Sequence, residues 1–249
     1  MPQLYVVNLG HLPYARAWEL QREAAKARIA GEIPEDLLLL VEHPPVVTMG
    51  RSSKESNLVV SRELLAGRGV ELYEVERGGD VTFHGPGQLV GYPIVDLKRH
   101  RQDLHWYLRQ IEESLIRAIA GWALEGHRVE KYTGVWVGGG TEAVDGRKPE
   151  AVSRKLASIG VHARDWVTWH GFALNVTTDL RYFDLIVPCG IQSVTMTSMA
   201  RELGRGPDAG PTLGEVGDAV AVAMADVFGL EAVQMPVEWL RSAAVALAP

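Results

Sequence analysis

Residues 77–97 read RGGDVTFHGPGQLVGYPIVDL, and the fold class turns on how this stretch is read. Apolar and β-branched residues gather into two or three short strands, broken by Gly85-Pro86-Gly87 with no room for a helix between them. Strands that follow one another this closely belong to an antiparallel or mixed sheet, not to regular βαβ alternation. The same stretch carries Gly78, Gly79, Gly85, Gly87 and Gly91, which permit positive φ and close approach of the backbone to a ligand. Arg77 can present a fixed cation, and His84 can donate, accept or shuttle a proton. Two readings follow: a tight hairpin with a hydrogen-bonded histidine, or a wall against which something other than protein lies. Composition leaves both open.

Outward from this stretch, LYVVNLG (4–10) reads as a strand, and residues 14–30, rich in Ala, Leu, Glu and Arg, read as a helix. LLLLVEHPPVVTMGR (37–51) reads as a buried strand, a Pro-Pro break and a second short strand. Downstream, Leu104, Leu108, Ile111, Leu115, Ala118 and Trp122 recur at helical spacing behind Asp103, a natural N-cap. Strand character returns in VEKYTGVWVGG (129–139), KLASIGVHARDWVTWH (155–170) and FALNVTTDL (172–180). Between the first two, GGGTEAVDGRKPEAVSR (138–154) is expected to be a mobile loop. Thr212 and Glu215 form a capping-box pair that opens a late helix. The expectation is one domain over 1–249, of α+β class, with a mixed, mainly antiparallel sheet flanked by helices.

The 249 residues are 47% apolar and 22% charged, ordinary for a globular chain. A net charge of −6 argues against a general nucleic-acid binder. The single cysteine, Cys189, forms no internal disulfide, which suits an intracellular setting. No signal-peptide pattern opens the sequence, and no apolar run is long enough for a bilayer. A cytoplasmic protein without membrane contact is expected, and a monomer, since no sustained heptad is present.

Cys189 lies in DLIVPCGIQS. A lone cysteine is either an inert small hydrophobe or a nucleophile, and its Pro and Gly neighbours put it on a turn. An ordinary thiol titrates near ~8.5 and is only about 3% thiolate at pH 7, so a nucleophile needs a cationic or basic partner. Lys155 is the candidate: it opens KLASIGV, an apolar strand where a lysine is costly to desolvate. A lysine at ~4 Å could supply ~4 kcal/mol at an effective dielectric near 20, more than the ~2 kcal/mol that a 1.5-unit drop in thiol pKa requires. The alternative is a lysine that snorkels at the strand's start. No P-loop, no Gly-x-Ser-x-Gly elbow and no zinc-ligand spacing is present, so no metal or other cofactor is expected.

Taken together, RGGDVTFHGPGQLVGYPIVDL, GVWV followed by KLASIGV, HGFALNV (170–176) and PCG (188–190) resemble the lipoyl(octanoyl) transferase family, the lipoate–protein ligase B type. LVEHPPVVTMGR (40–51) is similar to the family's early strand, and the resemblance spans roughly residues 4 to 200. It implies the α+β fold of the biotin and lipoate protein ligase catalytic domains. It also implies that an octanoyl group passes from octanoyl-acyl carrier protein to a lysine on lipoyl domains. The acceptors would be those of 2-oxoacid dehydrogenase complexes and the glycine cleavage H protein. The nucleophile falls on Cys189 and the invariant lysine on Lys155. Contacts with the acyl chain and carbonyl fall on Arg77, Gly78, Gly79, Asp80, Val81, Thr82, Phe83, His84, on Ser158, Ile159, Gly160, and on Gly171, Phe172, Ala173. The 138–154 insertion departs from the family pattern. Three rivals stand beside this reading: an ATP-dependent lipoate or biotin ligase on the same fold, a non-catalytic carrier- or lipoyl-domain-binding module, and a cysteine hydrolase. LKRHR (97–101), with Arg51 and Lys54, is a candidate docking patch for acidic carriers.

Overall fold

The computed structural model describes residues 1–139, 153–190 and 194–245. Its strands are β1 (Gln3–His11), β2 (Asp36–Glu42), β3 (Val46–Met49), β4 (Glu71–Glu74), β5 (Val81–His84), β6 (Gln88–Ile94), β7 (Gly126–Val129), β8 (Tyr132–Val137), β9 (Arg154–Arg164), β10 (Val167–Asn175), β11 (Thr195–Met196) and β12 (Glu231–Gln234). The helices are α1 (Tyr14–Ala30), α2 (Arg62–Gly67), α3 (Leu104–Ala120), α4 (Met199–Glu202), α5 (Leu213–Phe228) and α6 (Val237–Val245).

The main sheet runs β12-β1-β2-β6-β10-β9-β8-β7, with β11 joined to β9. From β2 to β7 every neighbouring pair is antiparallel, while β1 pairs parallel with both β2 and β12, and β11 parallel with β9. This is the mixed, mainly antiparallel sheet the sequence led us to expect. The four leucines of β2 show how it is covered. Strand alternation sends Leu37 and Leu39 to a layer with α1 and Leu240 of α6, and Leu38 and Leu40 to a layer with Ile111 and Leu115 of α3 and Val216 and Val220 of α5. A strand buried on both faces reads as an unbroken apolar run.

β9 and β10 form a hairpin closed by Asp165 and Trp166, both at positive φ (51° and 64°), which matches the twist of two-residue hairpin loops. A second sheet, β4-β3-β5, lies over its own apolar cluster of Leu65, Phe83 and Phe183. Of the loop expected at 138–154, Arg154 belongs to β9, paired with Val137 of β8, and Arg154 is held to Glu202 at 2.7 Å. Residues 140–152 lie outside the described residues. Among the described residues no helix is long and apolar enough to cross a membrane.

Candidate active site

A cavity of about 490 Å³ opens where β5, β9 and β10 meet the loop at 77–80, within the ~300–1,000 Å³ usual for small-ligand pockets. Arg77, Gly78, Gly79, Asp80, Thr82, His84, Lys155, Ser158, Ile159, Gly160, Gly171, Phe172 and Ala173 all line it. Val81 and Phe83, expected in the same wall, are not there. The period of two in β5 turns them to the opposite face, where Phe83 stacks on Tyr182 with ring centroids 4.6 Å apart.

The loop that forms one wall is bonded on both sides. Gly78 donates its N–H to Val161 O of β9 at 2.8 Å, while Arg77 O and Gly79 O accept from Arg51 and Ser52 at 3.0 and 3.1 Å. Arg77 itself is nearly buried: Nη2 donates to Thr48 O at 2.7 Å and Nη1 to Gly78 O at 3.0 Å. Its fork therefore ties the loop to β3 while its charge stays beside the cavity.

That charge helps keep the neighbouring imidazoles neutral. Burial, then repulsion from His43 and Arg77, pushes the His84 pKa down to about 3, although His84 Nδ1 keeps Gln88 Oε1 at 2.9 Å. His43 is held at about 4, chiefly by burial, between Leu12 O and the Tyr92 hydroxyl, each 2.7 Å away. Burial raises the Tyr14 and Tyr92 hydroxyls well above their ordinary value. His170 is lowered by burial, with Glu76 pulling the other way from 3.6 Å. This part of the cavity thus sets neutral imidazoles and hydroxyls beside the cation of Arg77.

Lys155 is 2% exposed. Its Nζ donates to Thr133 O at 3.1 Å and lies 5.2 Å above the Trp136 ring. Gly134 makes room for it: at φ 138°, a Cβ there would sit 2.8 Å from Lys155 Cε and 2.5 Å from Ala157 O. Met196 of β11 pairs with Lys155 from the far side.

The side chain of Cys189 lies outside the described residues; the backbone turn Pro188–Gly190 that carries it does not. Val187 N donates to Asn57 O at 2.8 Å, and Asn57 Nδ2 donates to Asp80 Oδ2 at 2.6 Å. Gly190, at φ 67°, comes so near that a Cβ would lie 2.5 Å from Asp80 Oδ2. The turn therefore abuts a residue of the cavity wall.

Sequence reasoning missed Tyr14, Tyr92, His43 and Glu112. The available signal was polar groups set into apolar runs, as in VEHPPVV and LVGYPIV, and in Glu112 on the stripe of Leu108 and Leu115. Of the expected docking patch, the basic side chains of 97–101 form surface ion pairs within the chain: Lys98 with Asp96 at 3.6 Å, Arg99 with Glu35 at 3.5 Å and Arg101 with Asp103 at 3.2 Å.

The fold is shared by lipoate protein ligases. The bipartite lipoate protein ligase of Thermoplasma acidophilum superposes with a TM-score of 0.73 at 15% identity, over 99% of this chain and 92% of that one. By sequence, the chain belongs to the lipoyl protein ligase A/B catalytic domain family, matched over residues 13–225. Within it, the octanoyltransferase of Rubrobacter xylanophilus is 54% identical over 198 residues, 79% of this chain and 82% of that one. That of Acidobacterium capsulatum is 47% identical over 248 residues, 96% and 94% of the two chains. Kinship of this order makes the chain an acyltransferase that moves octanoyl groups.

Proposed function

We propose that the octanoyl group arrives as a thioester on acyl carrier protein and leaves as an amide on the lysine of a lipoyl domain, with Cys189 carrying it in between. The Cys189 thiolate attacks the thioester carbonyl; a new C–S bond forms, the carrier's C–S bond breaks, and the carrier thiolate takes up a proton. The neutral amine of the acceptor lysine then attacks the acyl-enzyme; the amide C–N bond forms and Cys189 leaves as thiolate, while the amine gives up a proton. The first step exchanges one thioester for another and the second runs downhill to an amide, so neither requires nucleotide. Lys155 supplies the positive charge that favours the thiolate and the proton that passes between the two half-reactions.

One observation carries this reading: Lys155, 2% exposed, lines the same cavity as Ile159, Phe172 and Ala173, where an ammonium can stabilise the anion of a thiol brought to that cavity. Burial of the alkyl chain contributes about 5 kcal/mol at ~0.8 kcal/mol per methylene, with Ile159, Phe172 and Ala173 as its apolar contacts. The test is intact-protein mass spectrometry after mixing the enzyme with octanoyl-acyl carrier protein in the absence of ATP. One octanoyl group should be gained, then lost on addition of lipoyl domain, and none should appear with Cys189→Ala. Product without adduct would instead indicate direct transfer or a ligase-type route.

A further inference from the structure

Glu112 of α3 is a buried charge that the chemistry above does not use. Its side chain is fully inaccessible, yet its two arginine partners, Arg109 and Arg128, are 48% and 35% exposed. A carboxylate taken out of water costs several kcal/mol unless its oxygens are well matched. Oε2 is matched by Arg109 Nη1 at 2.6 Å and Arg128 Nε at 3.0 Å. Oε1 turns the other way and accepts the backbone N–H of Gly134 at 3.0 Å.

That N–H belongs to the Thr133–Gly134 peptide, whose carbonyl oxygen, Thr133 O, accepts from Lys155 Nζ at 3.1 Å. Carboxylate, peptide group and ammonium therefore form one line. The peptide is planar and stiff, so orienting its N–H also orients its C=O. An anion on the N–H polarises the unit and strengthens the carbonyl as an acceptor, by some 10–30% in condensed-phase estimates. A Cβ at Gly134 would crowd the end of the Lys155 side chain, 2.8 Å from Cε and 3.4 Å from Nζ.

We propose that Glu112 is a positioning residue for Lys155, acting through the Thr133–Gly134 peptide. The proposal rests on the reading of Lys155 given above. The rival is a purely structural tie between α3 and β7 through Arg128.

A double-mutant cycle separates the two. Glu112→Gln, Lys155→Met and the double variant are compared with wild type by single-turnover formation of the octanoyl-enzyme. Glu113→Gln, which alters a neighbouring carboxylate that also pairs with Arg128 at 2.7 Å, serves as the control. Glu112→Gln should slow acylation at least tenfold at saturating donor with KM changed less than twofold, cost nothing further once Lys155 is Met, and leave Glu113→Gln at wild-type rate. Equal losses from Glu112→Gln in both backgrounds, or no loss in either, would overturn the proposal. If Glu112→Gln does not accumulate as folded protein, Glu112→Asp, which keeps the charge beside Arg109 but falls short of the Gly134 N–H, gives the same cycle. Full acylation by Lys155→Met would instead remove the parent reading of Lys155, so the two failures are distinguishable.

Discussion

At the scale of single residues, Gly134 is a position that only glycine fills without strain. Its φ of 138° is open to glycine and strained for any other residue, and the space a methyl would take is held by Ala157 O and Lys155 Cε. Gly134→Ala is expected to displace Lys155, to slow octanoyl-enzyme formation more than tenfold and to lower the melting temperature by several degrees, read by single-turnover mass spectrometry and thermal melts. Lys155 itself was legible in the sequence because a lysine at the head of an apolar strand is conspicuous. Glu112 and His43 were not, because their partners, Gly134 on one side and Leu12 and Tyr92 on the other, are 22, 31 and 49 residues away along the chain. Only the folded backbone shows that such groups are matched.

At the scale of elements, local signals held up well. Asp103 caps α3 by accepting from the His105 and Trp106 amides, and Thr212 with Glu215 forms the expected reciprocal box on α5. Removing that box by Thr212→Ala should cost about 1 kcal/mol and lower the melting temperature by roughly 2–4 °C in a chain of this size, with octanoyl transfer unchanged. The helical stripe on α3 was legible only in part. Leu104 and Leu108 share the spacing of Ile111 and Leu115 but face the cavity, and Leu104 stays 40% exposed. Periodicity gives a direction around a helix and not what lies there. The basic run at 97–101 has partners both near and far: Asp96 and Asp103 lie two residues from Lys98 and Arg101, while Glu35 and Asp36 sit more than sixty residues before Arg99 and His100. Changing Lys98 and Arg99 to alanine should therefore leave the salt dependence of the Michaelis constant for carrier protein as it is. A flattened dependence would restore the patch as a docking site.

At the scale of the whole molecule, the buried titratable groups predict acid sensitivity. His43 and His84 bind protons near pH 4 and 3 in the fold but near ~6.5 in the unfolded chain. Below pH 6.5 the unfolded state therefore binds more protons, and stability falls as pH falls, by up to about 1.4 kcal/mol per pH unit for each group. Asp36 adds to this at lower pH. Burial pushes its pKa up, but the bonds from His100 and the Asp96 amide, with Arg28 beside them, outweigh burial and hold it below the usual range. The stability it contributes is present above about pH 4 and lost beneath it. Urea unfolding at pH 7, 5.5 and 4.5 should show a steady decline, and His43→Gln should make the decline shallower. An equal slope in that variant would place the sensitivity elsewhere. The sheet order was the least legible property at this scale. Strand positions follow from alternation, but the parallel placement of β1 between β2 and β12, and of β11 beside β9, depends on pairings between distant segments.

The loop at 77–79, bonded to β9 on one side and to residues 51 and 52 on the other, holds that wall of the cavity in place, the wall of a sleeve and not of a jaw. A jaw closes on cargo of many outlines, but a sleeve is threaded from one end and sorts by cross-section before it sorts by length. A straight chain slides in along its axis; an isomer of the same carbon count with a branch near the carbonyl has to widen the sleeve against those bonds. Discrimination between the two would then fall on the rate of loading, settled at the opening before any bond to the enzyme is made.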